Sequence, residues 1–201
     1  MNMQHWALPI SSPDGQLLGV ELETRVEVNG CRVLTNYAMQ DESIGRRIFE
    51  EEAGWLDRKA GWFIDNGLFC IVSSEAKSLA QGLPFIKFFS NHSRERPETG
   101  FWIDEMGAFN SSAIPLFTQG CEVVRFNKHY ATLNISRPIF PVLISNIRRY
   151  CNKVIVPVHN GRHFAMLGQA GVWAVQQESS PVHFSHCESL LDGSEFPHCS
   201  R

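Results

Sequence analysis

Lys153-Val154-Ile155-Val156-Pro157-Val158 is a short, nearly continuous apolar run rich in β-branched residues. Its length and composition make it a buried strand. Helical patterns flank it: residues 138–151, opened by Pro138, and residues 161–169. Two further strand-like runs lie outside those, Cys121–Phe126 before and Gly171–Val175 after. Strands alternating with helices imply parallel β-α units, so the expected class is α/β.

The same rhythm extends toward the N-terminus. Residues 100–104, 83–90 and 67–72 read as strands, 111–117 and 73–81 as helices, and 90–100 as a polar loop. Residues 17–28 alternate apolar and polar, Asn29-Gly30 is a hairpin turn signal, and 31–38 is the expected return strand. Asp41 starts a helix with Ile44, Ile48, Trp55, Ala60 and Trp62 on its apolar face. About six strands follow the hairpin, enough for a (β/α) barrel, although such barrels usually take ~250 residues. The 201 residues therefore predict a TIM-like barrel, shortened or incomplete in its N-terminal half, with 1–201 as one domain. A helix face left uncovered by that trimming, around 41–62, is an expected protein-docking surface.

Hydrophobic residues make up 43% of the chain and charged residues 19%, with 18 Lys and Arg against 21 Asp and Glu. This is ordinary globular composition, which excludes disorder and coiled coil. The balance of −3 argues against direct nucleic-acid binding, which needs clustered cations. No secretory leader or membrane-length apolar run is visible, so a cytoplasmic location is expected. Cys31, Cys70, Cys121, Cys151, Cys187 and Cys199 are widely spaced and read as free, buried thiols. Residues 183–191 read as a last helix; His183, His186, Cys187, His198 and Cys199 lack standard zinc spacing, and the tail reads as a solvated end. Trp55, Trp62, Phe85, Phe88 and Phe89 read as core.

Folds of this class carry their sites at the C-terminal ends of strands. Those ends hold Asp104-Glu105, Arg125-Phe126-Asn127 and Pro157-Val158-His159-Asn160, and the first strand holds Glu21, Glu23 and Arg25. Converging carboxylates would suit hard cations shared with a phosphate substrate. The plainer readings are an ion pair between Glu21 and Arg25, and a loop or helix cap at Asp104-Glu105.

The order of these segments resembles the EAL domain, the family that hydrolyses cyclic di-GMP. Gly19-Val20-Glu21-Leu22-Glu23-Thr24-Arg25 sits where the family has G-x-E-A-L-x-R. Residues 101–112, with Asp104-Glu105-Met106-Gly107, resemble its D-D-F-G loop. Val124-Arg125-Phe126-Asn127 resembles L-K-I-D, and residues 154–160 resemble V-I-A-E-G-V-E. Residues 171–176, ending in Gln176 with Pro181 beyond, resemble the closing unit.

Measured against that pattern, several groups are replaced. Arg125 stands at the catalytic lysine, Asn127 at the following aspartate and Pro157 at a glutamate. Cys70–Ser74 lacks the Asn ligand, and Phe85–Ser90 lacks a carboxylate. The resemblance thus implies a degenerate, non-catalytic EAL domain with no metal and no cofactor. Glu21, Arg25, Asp104, Glu105, Arg125, Asn127, Pro157 and Gln176 are its vestigial site positions. It further implies a regulator acting by protein contact, similar to the EAL-like antagonists of the flagellar regulator FlhDC. Those bind FlhD, block DNA binding and repress motility. The alternative is a cyclic di-GMP receptor without hydrolysis, in which Arg125 contacts a phosphate.

Overall fold

The computed structural model describes residues 1–33, 35–38, 40–72, 83–88, 102–108, 121–177, 179 and 181–192. The expected helices at 73–81 and 111–117 and the loop at 90–100 lie outside these residues. So do the side chains of Phe88 and Phe89, and His198 and Cys199. The chain forms two compact units.

The first unit is drawn from residues within 1–9, 19–87 and 181–195. Strand β1 (Asn2–Ser11) begins here, followed by β2 (Leu17–Val28) and β3 (Cys31–Val33). Asn29 and Gly30 take left-handed φ values of 53° and 78°, closing the expected hairpin. Its return strand is shorter than 31–38, because a helical turn, α1 (Thr35–Ala38), takes over. β2 pairs in parallel with β4 (Phe69–Val72), and β5 (Ile86–Phe88) borders β4. β10 (Val182–His183) pairs antiparallel with β1. A 3₁₀ helix, Phe184–Leu190, takes the place of the expected last helix, with Phe184 and Cys187 fully buried, so this stretch is packed. His183 caps it by accepting from the Ser185 N–H.

Helix α2 (Glu42–Asp65) forms because both ends are capped. The Asp41 carboxylate accepts from the N–H groups of Ser43 and Ile44 at 3.0 and 3.2 Å. At the far end Gly67 is left-handed, and Leu68 N–H returns to the Phe63 carbonyl. The buried stripe is Ile48, Glu52, Leu56 and Phe63. Trp55 and Trp62, expected on that stripe, are not fully buried. Glu52 takes a core position because the Thr24 hydroxyl donates to it, while Thr24 also bonds buried His5. Phe85 is core as expected, stacked on Phe63 at 4.9 Å. Cys31, expected to be buried, is exposed at the hairpin.

The second unit is drawn from residues within 10–18 and 88–180. It contains β6 (Trp102–Met106), β7 (Cys121–Phe126), α3 (Lys128–Asn134), α4 (Ile139–Ile147), β8 (Cys151–Val158), a 3₁₀ turn (Gly161–His163), α5 (Phe164–Gln169) and β9 (Ala174–Gln177). The strands run β9-β8-β7-β6, all parallel. The last residues of β1, Ile10 and Ser11, pair antiparallel with Gln176 and Val175. α4 ends before the expected 151, since Cys151 already belongs to β8. β9 starts three residues later than expected, because left-handed Gly171 terminates α5. The core is Val124, Phe126, Phe140, Ile144, Val154, Val156, Leu167 and Val175. No helix among the described residues is long and apolar enough to cross a membrane.

The α2 cap gives a pH prediction. The Ser43 hydroxyl first, then the Ile44 and Ser43 N–H groups, hold the Asp41 carboxyl below its ordinary value. A depressed carboxyl stabilises the fold fully above its unfolded pKa, and that contribution is lost as pH falls through the folded value. Asp41→Asn is expected to flatten the acid limb of a stability profile below about pH 4. Urea melts of both proteins between neutral and acid pH check this.

Candidate functional site

The strand ends of the second unit bring three of the predicted positions into one hydrogen-bonded set. Arg125 lies on β7 opposite Ile155 of β8. Its Nε and Nη2 donate to Asp104 Oδ1 and Oδ2 at 2.8 and 2.6 Å. Its Nη1 donates to Gln176 Oε1 at 2.9 Å. One guanidinium therefore joins β6 to β9. The two charged side chains are 12% and 14% exposed, and Gln176 is 3% exposed. A planar fork on both oxygens of one carboxylate is a strong, directional ion pair. Asp104 is thus an ion-pair partner as well as a turn former. Its Oδ1 also accepts from the Glu105 N–H at 2.8 Å, the local capping role expected for it.

A bulge aims Asp104. β6 and β7 pair at Ile103↔Val124 and again at Met106↔Phe126, which leaves an extra residue on β6. Glu105 absorbs it with φ at 60°, a left-handed value uncommon outside glycine. The exposed Glu105 carboxylate accepts from Asn127 Nδ2. Asn127 Oδ1 accepts from the Tyr130 N–H at 2.8 Å, so this side chain caps α3. Tyr130 stacks on Phe126 and covers left-handed Gly107, where an added Cβ would fall 2.6 Å from the ring. The loop after β6 is therefore tied to the start of α3.

Pro157 sits on β8 opposite Gln176. The β7–β8 pairing ends at Arg125↔Ile155, ahead of this residue. Proline has no N–H to give a ladder and no group to ligate a cation.

Glu21 and Arg25 belong to the first unit. They share the half-buried face of β2 with Glu23, while Leu22, Thr24 and Val26 are buried on the other. The expected partner of Arg25 was Glu21. Its ion pair is instead with Glu23, through Nε at 2.8 Å, and Arg32 joins the same carboxylate at 3.1 Å. The Arg25 guanidinium also lies 5.0 Å over the Trp6 ring. Glu21 pairs in register with Ile71 of β4. Among the described residues, no three His, Cys, Asp or Glu side chains converge in a way that could hold a metal ion.

Sequence reading missed the Asn127 cap, because α3 itself was not expected. Its signal was present, an Asn directly before a short helix-compatible stretch. The buried His5–Thr24–Glu52 set had no local signal, since its members come from three separate elements.

No family model matches this sequence, and no curated protein matches it. Solved structures do share its fold. The EAL-like domain protein YdiV aligns with a TM-score of 0.77 at 19% identity, covering 94% of this chain and 95% of that one. The EAL enzyme Bd1971, in its cAMP- and cyclic-di-GMP-bound form, aligns at 0.70 and 14%, over 94% of this chain and 64% of that one. PaMucR phosphodiesterase in complex with cyclic di-GMP aligns at 0.65 and 13%, over 92% and 94%. The chain has the α/β fold of EAL domains.

The geometry makes a double-mutant prediction. Removing one partner of a buried pair strands the other charge, whereas replacing both is often close to neutral. Arg125→Met is expected to cost about 3 kcal/mol, and adding Asp104→Leu to recover most of it. Chemical denaturation of wild type, both single variants and the double variant checks this.

Proposed function

We propose that this chain is a non-catalytic EAL-like regulator that acts by binding another protein. The observation that carries the reading is the Arg125 fork on Asp104. A divalent cation at this strand end would need carboxylate oxygens, and both oxygens of Asp104 already serve a resident cation. Pro157 offers no ligand, and Asn127 spends its side chain on Glu105 and the α3 cap. These residues do not fit a two-metal centre, so no metal-dependent step is assigned. Lysine to arginine is also a poor exchange at a water-orienting position, because a guanidinium does not deprotonate. The same fork weighs against the receptor reading, in which Arg125 would have to leave Asp104 and Gln176 to meet a phosphate.

The proposed partner is FlhD of the FlhD–FlhC complex, with the result that the complex is kept off DNA and motility falls. Support comes from the motif resemblance to degenerate EAL-like antagonists, together with a fold shared over 95% of YdiV. The proposed working location is the cytoplasm, where that complex acts.

Size-exclusion chromatography of the purified chain mixed with FlhD–FlhC tests the partner. Co-elution is expected, with loss of the complex from its DNA in a mobility-shift assay. Glu21→Ala is expected to leave both unchanged. Separate elution of the folded chain, with the DNA complex intact, would refute FlhD as the partner.

A further inference from the structure

Two cysteines stand at the opposite end of the second unit's strands from Arg125. Cys121 opens β7 and Cys151 opens β8. They are direct register partners on adjacent parallel strands. Paired positions on neighbouring strands lie about 4.8 Å apart, within the Cα separation that a disulfide spans. Side chains of such partners leave the sheet on the same face. The two thiols are near enough to perturb each other, and Cys151 Sγ donates to the Lys153 carbonyl at 3.3 Å. Cys121 is half-buried, while Cys151 is 2% exposed and packed in the core. Cys121 is therefore the open side of the pair.

We propose that Cys121 and Cys151 form a redox pair that closes to a disulfide with hydrogen peroxide and reopens with a dithiol.

Interaction between the two thiols favours one thiolate held by the pair. The thiolate is the reactive form. That thiolate attacks one peroxide oxygen, the O–O bond breaks, and hydroxide leaves to take a proton as water. The resulting sulfenic acid is then attacked by the sulfur of the other cysteine. An S–S bond forms, the S–O bond breaks, and the departing hydroxide takes the second thiol's proton as a second water. Two thiols lose two electrons, and one peroxide becomes two waters. The product ties the openings of β7 and β8 and closes a loop that contains α3 and α4. It shortens the unfolded chain's freedom across that loop and raises the melting temperature of the oxidised protein.

The other cysteines are placed differently. Cys31 is exposed on the hairpin, and Cys70 and Cys187 are buried in the first unit. Burial pushes the Cys187 thiol up to about 12 and raises Cys70 as well.

The test uses the full folded chain carrying Cys31→Ala, treated with hydrogen peroxide, quenched with an alkylating agent and mapped by mass spectrometry without reductant. The expected result is one linked peptide pair joining Cys121 and Cys151, two hydrogens lighter than the reduced pair and abolished by dithiothreitol. A melt of the oxidised protein is expected to shift upward and to return after reduction. Cys121→Ser is expected to remove both effects. Alkylation of both thiols after peroxide would overturn the proposal, as would separate over-oxidation of each or linkage of either to another cysteine. Because the linked peptide is read on protein with both cysteines intact, a folding defect in Cys121→Ser would not obscure the result.

Discussion

A single guanidinium organises the strand ends of the second unit. Arg125 satisfies both oxygens of Asp104 and the amide oxygen of Gln176, and so bonds to strands on either side of its own. At 12% and 14% exposure the pair is too buried for water to screen fully, and its geometry is the forked arrangement that compensates desolvation best. Charge at this end of the sheet is balanced internally, by a cation that belongs to the chain. That balance is the physical basis for proposing that this strand end holds no metal ion.

The neighbouring features hold the fork in place. The β6 bulge turns Asp104 toward Arg125, and Glu105 takes the strained left-handed conformation that the bulge requires. Asn127 fixes Glu105 and starts α3 in the same move, and Tyr130 from that helix closes over Gly107. These contacts form a consistent set: a loop and a helix start tied to each other, beside a carboxylate tied to an arginine.

Much of the fold was legible because periodicity and caps are local. Residues 121–126 and the apolar run at 153–158 form strands where the sequence pattern places them, and the Asn29-Gly30 turn and the Asp41 start of α2 are where their chemistry puts them. β1 was not expected, since Pro9 and His5 break its strand pattern, and its pairing with β9 and β10 lies far away in sequence. The site was half legible. That Arg125, Asn127 and Pro157 lie at or beside strand ends could be seen from the strand pattern alone. That Arg125 would take both oxygens of Asp104 could not, because it depends on an extra residue in β6 and on a positive φ at Glu105 that nothing in the sequence marks. The in-register meeting of Cys121 and Cys151 was equally hidden, since it depends on the β7–β8 register.

The central claim is that a resident arginine has taken the place of bound metal and nucleotide. Calorimetric titration of the folded chain with cyclic di-GMP in Mg²⁺-containing buffer tests it most directly. The account predicts no heat of binding. Saturable binding that disappears in Arg125→Ala would contradict it, by showing that the guanidinium leaves Asp104 to hold a phosphate.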